Sequence, residues 1–357
     1  MPRYSVAVVH FRRSAELERC LASVAAQTLR PGGVAVVDHD PEPDAALRLR
    51  SAFPGVRWLP GPNRGFAAGA NRALGEAALR DPGAEFLLLL NDDVELEPGF
   101  AEVLVREMGA RPSVALASGK LLREDGRTLD SAGLSMARSR RTRDRGSEEP
   151  DRGQYDRVER VFGLSGAALM IRRAALEHLE LAGELFDEDF FAYHEDTDLA
   201  WRARLFGWCC LYVPEARAVH RRGWSARAWR GIDPAVRRHS FKNRYLEMVK
   251  NERLAGFLRD LPAILLWEVV RLGYALLRDR GRLPAYAEAW RLLGRAFAKR
   301  RWIQARRGLP PWEEASVAVS GAALPAGASF FIFTPLLPKM LPTPSPEERP
   351  WRASPTS

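Results

Sequence analysis

Cysteine is scarce in this sequence. Its three cysteines, Cys20, Cys209 and Cys210, form neither a C-x-x-C pair nor a metal-finger spacing. This excludes a disulfide scaffold and a zinc ribbon, and it fits a reducing compartment. The amino terminus also lacks an export signal, because its first apolar run, residues 6–9, is too short for one. We therefore expect a cytoplasmic protein.

Long uninterrupted apolar runs are also absent. Residues 315–338 carry no charge over 24 positions, but glycines and prolines interrupt them, and the apolar run 261–278 contains Glu268 and Arg271. We expect neither segment to span a bilayer. For the second run we favour an amphipathic helix that lies on a partner or on an anionic lipid surface.

Lysine is rare among the basic residues, since only five of the 54 are lysine and the remainder are arginine. The net charge of +9 is uneven, because residues 241–310 hold 16 basic and 6 acidic residues. These arginines lie along apolar helical patterns without a recognised nucleic-acid reader motif. We therefore expect no nucleic-acid partner, and we favour peripheral contact with an anionic membrane on its inner face.

The chain alternates strand-like and helix-like patterns over its first 130 residues. Strands are predicted at 6–9, 34–37, 56–59 and 86–90, and helices at 16–26 and 65–79. Strands that are apolar on both faces and separated by helices indicate an α/β fold with a mostly parallel sheet flanked by helices. In such sheets the chemistry lies beyond the carboxyl ends of the strands.

Composition divides the chain into three parts. Residues 1–240 form the predicted α/β domain, and residues 241–308 form a basic amphipathic helical extension. Residues 309–357 are rich in proline, and we expect a disordered tail there. Within the first part, the charged stretch 138–160 is expected to be a long surface loop.

The strand at 86–90 ends in Asn91, Asp92 and Asp93. Adjacent carboxylates repel each other unless they are solvated or paired with a cation, and oxygen ligands of this kind suit Mg²⁺ or Mn²⁺. The alternative is that Asp92 or Asp93 caps a following helix.

A second acidic group, Glu195 and Asp196, follows an aromatic stretch and opens a helical pattern. A carboxylate in a partly dry site can serve as a general base, although an acidic helix N-terminus is also common without any function. His220 ends a predicted strand at 216–219 and is followed by Arg221 and Arg222. It is either structural or a nitrogen ligand to a metal, and the arginines are candidates to neutralise a phosphate.

Two glycine-bearing stretches permit close approach of a ligand to the backbone. One contains Asn63, Arg64 and Gly69, and the other contains Gly166. Neither has the spacing of a dinucleotide fingerprint or a P-loop lysine, which argues against a dehydrogenase and a Walker ATPase. Both stretches are also compatible with simple helix–sheet packing.

In this order, the motifs resemble the inverting family 2 glycosyltransferases of the GT-A fold, and most of all their rhamnosyltransferase-like branch. The similarity runs from about residue 4 to 245. It rests on residues 19–23, 27–28, 36–38, 63–69, 89–93, 165–173, 186–191, 195–199 and 213–216, and on His220. The sequence departs from the family at Arg12, where asparagine is usual, and after Asp38. The identity of the donor nucleotide therefore stays open.

The resemblance implies roles for these positions. Asp38 would contact the nucleobase, Asn91 the ribose, and Asp93 the metal. His220 would be a further metal or diphosphate contact. Asp196 would be the catalytic base, with Glu195 beside it. Donor binding would also involve Asn63, Arg64, Gly69, Asp92 and Gly166.

The resemblance thus implies a metal-dependent transfer of a sugar, with rhamnose favoured, from a dTDP-, UDP- or GDP-sugar to a glycan or lipid-linked acceptor in cell-surface polysaccharide synthesis. The cofactor would be Mg²⁺ or Mn²⁺. Two alternatives stay open: a nucleotidyltransferase of similar fold, and a catalytically inactive relative that binds a surface or membrane. A homo-oligomer through the C-terminal helices is also left open.

Overall fold

The computed structural model of the chain describes residues 3–39, 41–222 and 234–308. The predicted proline-rich tail and the uncharged segment 315–338 lie outside these residues. The strands are β1 (Tyr4–Phe11), β2 (Val34–His39), β3 (Val56–Gly61), β4 (Phe86–Asn91), β5 (Val94–Leu96), β6 (Val114–Leu122), β7 (Leu129–Ser131), β8 (Leu134–Met136), β9 (Thr142–Asp144), β10 (Glu159–Val161), β11 (Ala168–Arg172) and β12 (Cys209–His220). The α-helices are α1 (Ser14–Ala25), α2 (Pro43–Ala52), α3 (Phe66–Arg80), α4 (Phe100–Gly109), α5 (Arg173–Leu179), α6 (Glu195–Leu205), α7 (Pro234–Asn251), α8 (Leu254–Leu277) and α9 (Pro284–Ala305).

The main sheet has ten strands, eight of them in the order β10-β12-β6-β11-β4-β1-β2-β3. Strands β3, β2, β1, β4, β6 and β12 point the same way, because β11 is antiparallel to both of its neighbours. The short strands β5 and β7 pair with the ends of β12 and β6. The carboxyl ends of β1, β2, β4 and β12 therefore meet along one edge of the sheet.

Two apolar clusters cover the two faces of this sheet. One joins β1 and β4 to α3, α5 and α6, and the other joins the opposite face of the same strands to α1 and α4. The central strand β4 is apolar on both faces, and its residues 86–90 are all fully buried. Burial on both faces explains its continuous run of leucines.

The predicted strands and helices of the first 90 residues are confirmed within two or three residues at each end. The α/β class with a mostly parallel sheet is confirmed as well. The stretch 138–160 differs from the expected loop, because it contains β9 and begins β10, and β9 pairs with β8 in a hairpin. Short polar strands without apolar alternation give little periodic signal, which is why the sequence pattern missed them.

Helix α7 begins at Pro234 and so crosses the expected boundary at residue 240. It packs against α6 and α9, while α8 exposes large apolar side chains along its outer face. The boundary itself stays a prediction. Among the described residues no helix combines the length and apolarity needed to cross a membrane.

Candidate active site

The turn after β4 places Asp93 against His220. Strand β5 runs back along the end of β12, so that Val94 pairs with His220. The backbone N–H of Arg221 donates to the carbonyl of Asp93 at 2.8 Å. As a result, Oδ1 of Asp93 lies 3.2 Å from Nε2 of His220, although the two residues are far apart in sequence.

Asp93 is a buried carboxylate with unused coordinating capacity. Its Oδ2 accepts a hydrogen bond from Arg13 at 2.7 Å, and its Oδ1 faces the imidazole of His220. Burial raises its pKa, but the His220 imidazole and the Arg13 guanidinium outweigh this and hold it below the ordinary value. Oδ1 of Asn91 is buried and accepts no hydrogen bond. A buried carboxylate oxygen and a buried amide oxygen fit the ligand preference of a divalent cation.

His220 is oriented by a residue that the motif analysis did not identify. Its Nδ1 lies 2.7 Å from Oδ2 of Asp130, a carboxylate with no exposed surface that also pairs with Arg123. Burial lowers the pKa of His220, but hydrogen bonding to Asp130 and Asp93 raises it to about 9. A carboxylate behind an imidazole is the arrangement that fixes metal-binding histidines in many proteins. Asp130 stands between Leu129 and Ser131 in the three-residue strand β7, and no motif of the sequence marks it.

Asp92 points away from Asp93 and into the end of β1. Its Oδ2 lies 2.8 Å from Nδ1 of His10 and accepts the backbone N–H of Phe11 at 3.2 Å. Nε2 of the same histidine lies 4.0 Å from the buried Asp38. Burial raises the pKa of Asp92. His10 thus connects the two carboxylates at the carboxyl ends of β1, β2 and β4.

The second acidic group lies at the N-terminus of α6, as the pattern predicted. Oδ2 of Asp196 accepts the backbone N–H of Gly166 at 3.1 Å, and Oδ1 accepts that of Thr197 at 2.7 Å. Glu195 is buried, and its Oε2 accepts no hydrogen bond. Burial, followed by the charge of Asp196, raises the pKa of Glu195 well above its usual range.

The segment before α6 is held in an unusual conformation. Phe191, Tyr193 and His194 have φ values of 65°, 69° and 68°, which non-glycine residues rarely adopt. Nδ2 of the fully buried Asn243 in α7 donates to the carbonyls of Phe190, Ala192 and Tyr193 at 2.7–2.9 Å. Strained backbone of this kind persists only where surrounding contacts over-determine it. Asn243, which the sequence analysis missed, supplies those contacts.

One cleft of about 470 Å³ brings most of the predicted residues together. It is lined by Asn91, Asp93, Gly166, Glu195, Asp196 and His220. Arg13 and Arg222 also line it, while Arg221 turns outward to pair with Glu95 and Glu124. Strand β9 forms one wall through residues 142–144, so the stretch expected to be a surface loop contributes to the site.

The remaining donor-side candidates lie outside this cleft. Asn63 lines a separate hollow with Phe11, Arg12 and Gly61, and its Oδ1 accepts the N–H of Gly65. Arg64 is exposed and lies 3.9 Å from Glu188. A Cβ at Gly69 would come within 2.7 Å of His39 and 2.9 Å of Val9, so the glycine lets α3 pack closely on the sheet.

Comparison with known proteins places this site in context. The model of the family described as Glycosyltransferase like family 2 matches residues 2–255. The N-acetylglucosaminyl-diphospho-decaprenol L-rhamnosyltransferase of Mycobacterium tuberculosis is 33% identical over 257 residues, which cover 64% of this chain and 78% of the relative.

Two solved structures resemble the chain in fold. TarS 1-349 of S. aureus in complex with UDP has a TM-score of 0.53 and 15% identity, over 90% of this chain and 92% of that one. GalNAc-T7 with UDP, GalNAc and Mn²⁺ has a TM-score of 0.50 and 16% identity, over 70% of this chain. The chain spans about half the length of GalNAc-T7, with 48% covered. At this level of identity the likeness shows the GT-A fold.

Replacement of Asn243 tests whether its amide holds the segment before α6. Asn243→Asp keeps the shape but sets a carboxylate against three carbonyl oxygens, and Asn243→Ala removes the donor. We expect each variant to lose about 2 kcal/mol or more of unfolding free energy in urea, the Asp variant more than the Ala variant. Backbone amides of residues 190–194 should also exchange faster with solvent.

The exposed Gln154→Ala serves as the control, because its amide bonds only neighbouring surface residues, and it should cost less than about 0.5 kcal/mol. If Asn243→Asp were as stable as the parent, the amide would not be what maintains this conformation.

Proposed function

The chain belongs to the glycosyltransferase-like family 2, and from this premise we propose an inverting transfer of a sugar from a nucleotide-sugar to a hydroxyl of a lipid-linked glycan in cell-surface polysaccharide synthesis. The chain is a glycosyltransferase, and the Mycobacterium tuberculosis relative named above favours rhamnose as the sugar and a diphospho-lipid as the acceptor carrier. The nucleotide would be dTDP, UDP or GDP.

A single arrangement carries this proposal: the carboxylate of Asp196 shares one cleft with the pair formed by Asp93 and His220. An inverting transfer is one in-line displacement at the anomeric carbon. It needs a base on the side of the acceptor and neutralisation of charge on the side of the leaving diphosphate. It needs no carboxylate nucleophile, in contrast to a retaining glycosidase.

On the leaving-group side, Asp93, Asn91 and His220 would hold Mg²⁺ or Mn²⁺. The coordinating atoms would be Oδ1 of Asp93, Oδ1 of Asn91 and the imidazole nitrogen Nε2 of His220. A bound cation supplies Lewis-acid stabilisation of the nucleoside diphosphate as it departs. Asp130 keeps the imidazole ring in place from behind, and Arg13 adds a positive charge beside Asp93.

On the acceptor side, Asp196 would take the proton of the attacking hydroxyl. The backbone N–H groups of Gly166 and Thr197 fix the direction of its carboxylate. Glu195, whose pKa is raised by burial and by the charge of Asp196, holds its proton and does not compete as a base.

The nucleotide would lie over the ends of β1, β2 and β3. Asp38, buried at the end of β2, is the proposed nucleobase contact, and Asn63 lines the neighbouring hollow. Asp92 would act from beneath, through His10 and the backbone of Phe11. Arg64 and Gly69 complete the proposed donor side at the start of α3.

We also propose peripheral membrane contact through α8 and α9. Of the sixteen large apolar residues that are exposed in the described chain, twelve lie in these two helices. Leu266, Val269 and Leu277 of α8 are 68%, 69% and 82% exposed. An apolar face on a basic helical segment suits insertion at an anionic lipid surface, where a lipid-linked acceptor would also lie.

Asp196→Asn tests the assignment of the base. The amide keeps the shape but cannot accept the proton, so we expect kcat to fall roughly 10²–10⁴-fold while donor affinity stays within about twofold. Steady-state transfer and donor binding by calorimetry give the two quantities. Asp44→Asn, the same change at an exposed position in α2, should leave both unchanged. Unaltered turnover in Asp196→Asn would eliminate it as the base.

Asp93→Asn tests the metal site. Loss of one carboxylate ligand should remove the increase in melting temperature that Mn²⁺ and a nucleoside diphosphate give together, and it should lower transfer by at least about 100-fold. Glu97→Gln, on an exposed side chain four residues along the same segment, is the matched control. A variant that still responds to Mn²⁺ like the parent would contradict the role of Asp93.

Serine at Leu266, Val269 and Leu277 tests the membrane face. Sedimentation of the full chain with phosphatidylglycerol vesicles should show binding weakened by about tenfold or more, because each replacement removes apolar area from the proposed contact. Leu47→Ser with Leu79→Ser changes exposed apolar residues elsewhere and should have no effect. Equal vesicle binding by the two sets would count against α8 as the contact.

A further inference from the structure

Three arginines converge between the cleft and α8. Cζ of Arg141 lies 4.7 Å from the centroid of the Trp267 ring in α8. Arg271 follows Trp267 by four residues and so lies one turn further along the same side of the helix. Arg143 lies on β9, two residues after Arg141, and it lines the cleft.

These charges are poorly neutralised by the protein. The other arginines of this hairpin region pair with acids: Arg138 with Asp260, Arg140 with Glu252 and Asp260, and Arg145 with Glu159. Within the part of the chain that the structure describes, no carboxylate forms an ion pair with Arg141 or Arg143. Burial, and then the charges of Arg143 and Arg271, lower the pKa of Arg141.

The acid nearest to Arg271 is already shared. Glu268 lies 3.9 Å from Arg271 but accepts closer hydrogen bonds from Arg244 at 2.7 Å and from the hydroxyl of Tyr245 at 2.5 Å. Nε of Arg271 and Nε1 of Trp267 are buried and donate to no acceptor among the described residues. Buried donors without acceptors and adjacent like charges are both costly, and an anion would relieve both costs.

The three arginines lie near the acceptor side of the cleft. Residues 142–144 of β9 line the same cleft as Asp196, the proposed base. On the other side, Arg271 lies on the helix whose outer residues Val269 and Val270 are exposed and apolar. The cluster thus lies between the proposed base and the proposed membrane face.

We propose that Arg141, Arg143 and Arg271 bind the diphosphate of a lipid-linked acceptor. The inference rests on the proposed function. It names the residues that bind the charged part of the acceptor. The acceptor sugar would enter the cleft toward Asp196, and the lipid chain would leave along α8. Guanidinium groups suit this role because they bind phosphate oxygens in pairs and keep their charge.

The test uses the full chain with Arg141→Gln and Arg143→Gln combined, since both side chains are exposed and their loss should not prevent folding. Binding of farnesyl diphosphate is measured by calorimetry in EDTA, so that no cation at Asp93 contributes. We expect affinity to fall tenfold or more. Arg152→Gln with Arg157→Gln makes the same change of charge at exposed positions and should bind like the parent.

Two further measurements distinguish a site for a diphosphate from a general contact with membrane phosphates. Affinity for inorganic pyrophosphate should fall with that for farnesyl diphosphate, whereas binding to phosphatidylglycerol vesicles should change by less than about twofold. If vesicle binding fell as much as farnesyl diphosphate binding, the cluster would be a general membrane contact and the proposal would be wrong. Unchanged affinity for farnesyl diphosphate would also overturn it.

Kinetics provide the last arm. With a sugar-diphosphate-lipid acceptor, the double variant should raise the acceptor KM tenfold or more and leave the donor KM unchanged; a raised donor KM would show that the arginines serve the nucleotide instead. With the same sugar on an alkyl chain without phosphate, the variant and the parent should have the same acceptor KM.

The calorimetry requires no turnover, so it separates this proposal from the proposed function. A chain that binds farnesyl diphosphate through these arginines but transfers no sugar would refute the proposed function and leave this site intact.

Discussion

The contact between Asp93 and His220 is the constraint on which the site depends. It exists because β5 turns back along the end of β12, which sets the acidic turn of one strand against the last residue of another. Histidines separate carboxylates along this buried edge: His220 lies between Asp93 and Asp130, and His10 lies between Asp92 and Asp38. Carboxylates this close together would repel each other without these partners. The histidines therefore stabilise this edge of the folded sheet as well as serving its chemistry.

The C-terminal helices are part of the active-site structure. Helix α7 supplies Asn243 to the strained segment before α6, and Lys250 and Asn251 from the same helix contact Asp198 inside α6 at 3.0 and 2.6 Å. Helix α8 in turn holds the region before β9, through the ion pair of Asp260 with Arg140. The two walls of the cleft that carry Asp196 and Arg143 are therefore both braced by helices that lie beyond the central sheet.

The arginine content of the chain has two structural outcomes. A few guanidinium groups, those of Arg140, Arg202 and Arg244, are buried and bonded to carbonyls and carboxylates. They act as polar ties between elements, a use that the five donors of arginine permit. Arg141 and Arg143 belong to neither the buried ties nor the surface ion pairs; one lies against Trp267 of α8 and the other lines the cleft.

The sequence alone determined the α/β class, most element positions, and the acids at the ends of β4 and before α6, because buried strands and amphipathic helices have strong periodic patterns. It did not reveal Asp130, Asn243 or the role of β9, and it left open whether Gly69 serves a ligand or the packing of α3, in which an added Cβ would meet His39. Which residues meet across the cleft was decided only by tertiary structure. A hydrogen bond such as that of Asn243 joins atoms about fifty residues apart, and no local pattern of side chains encodes such a contact.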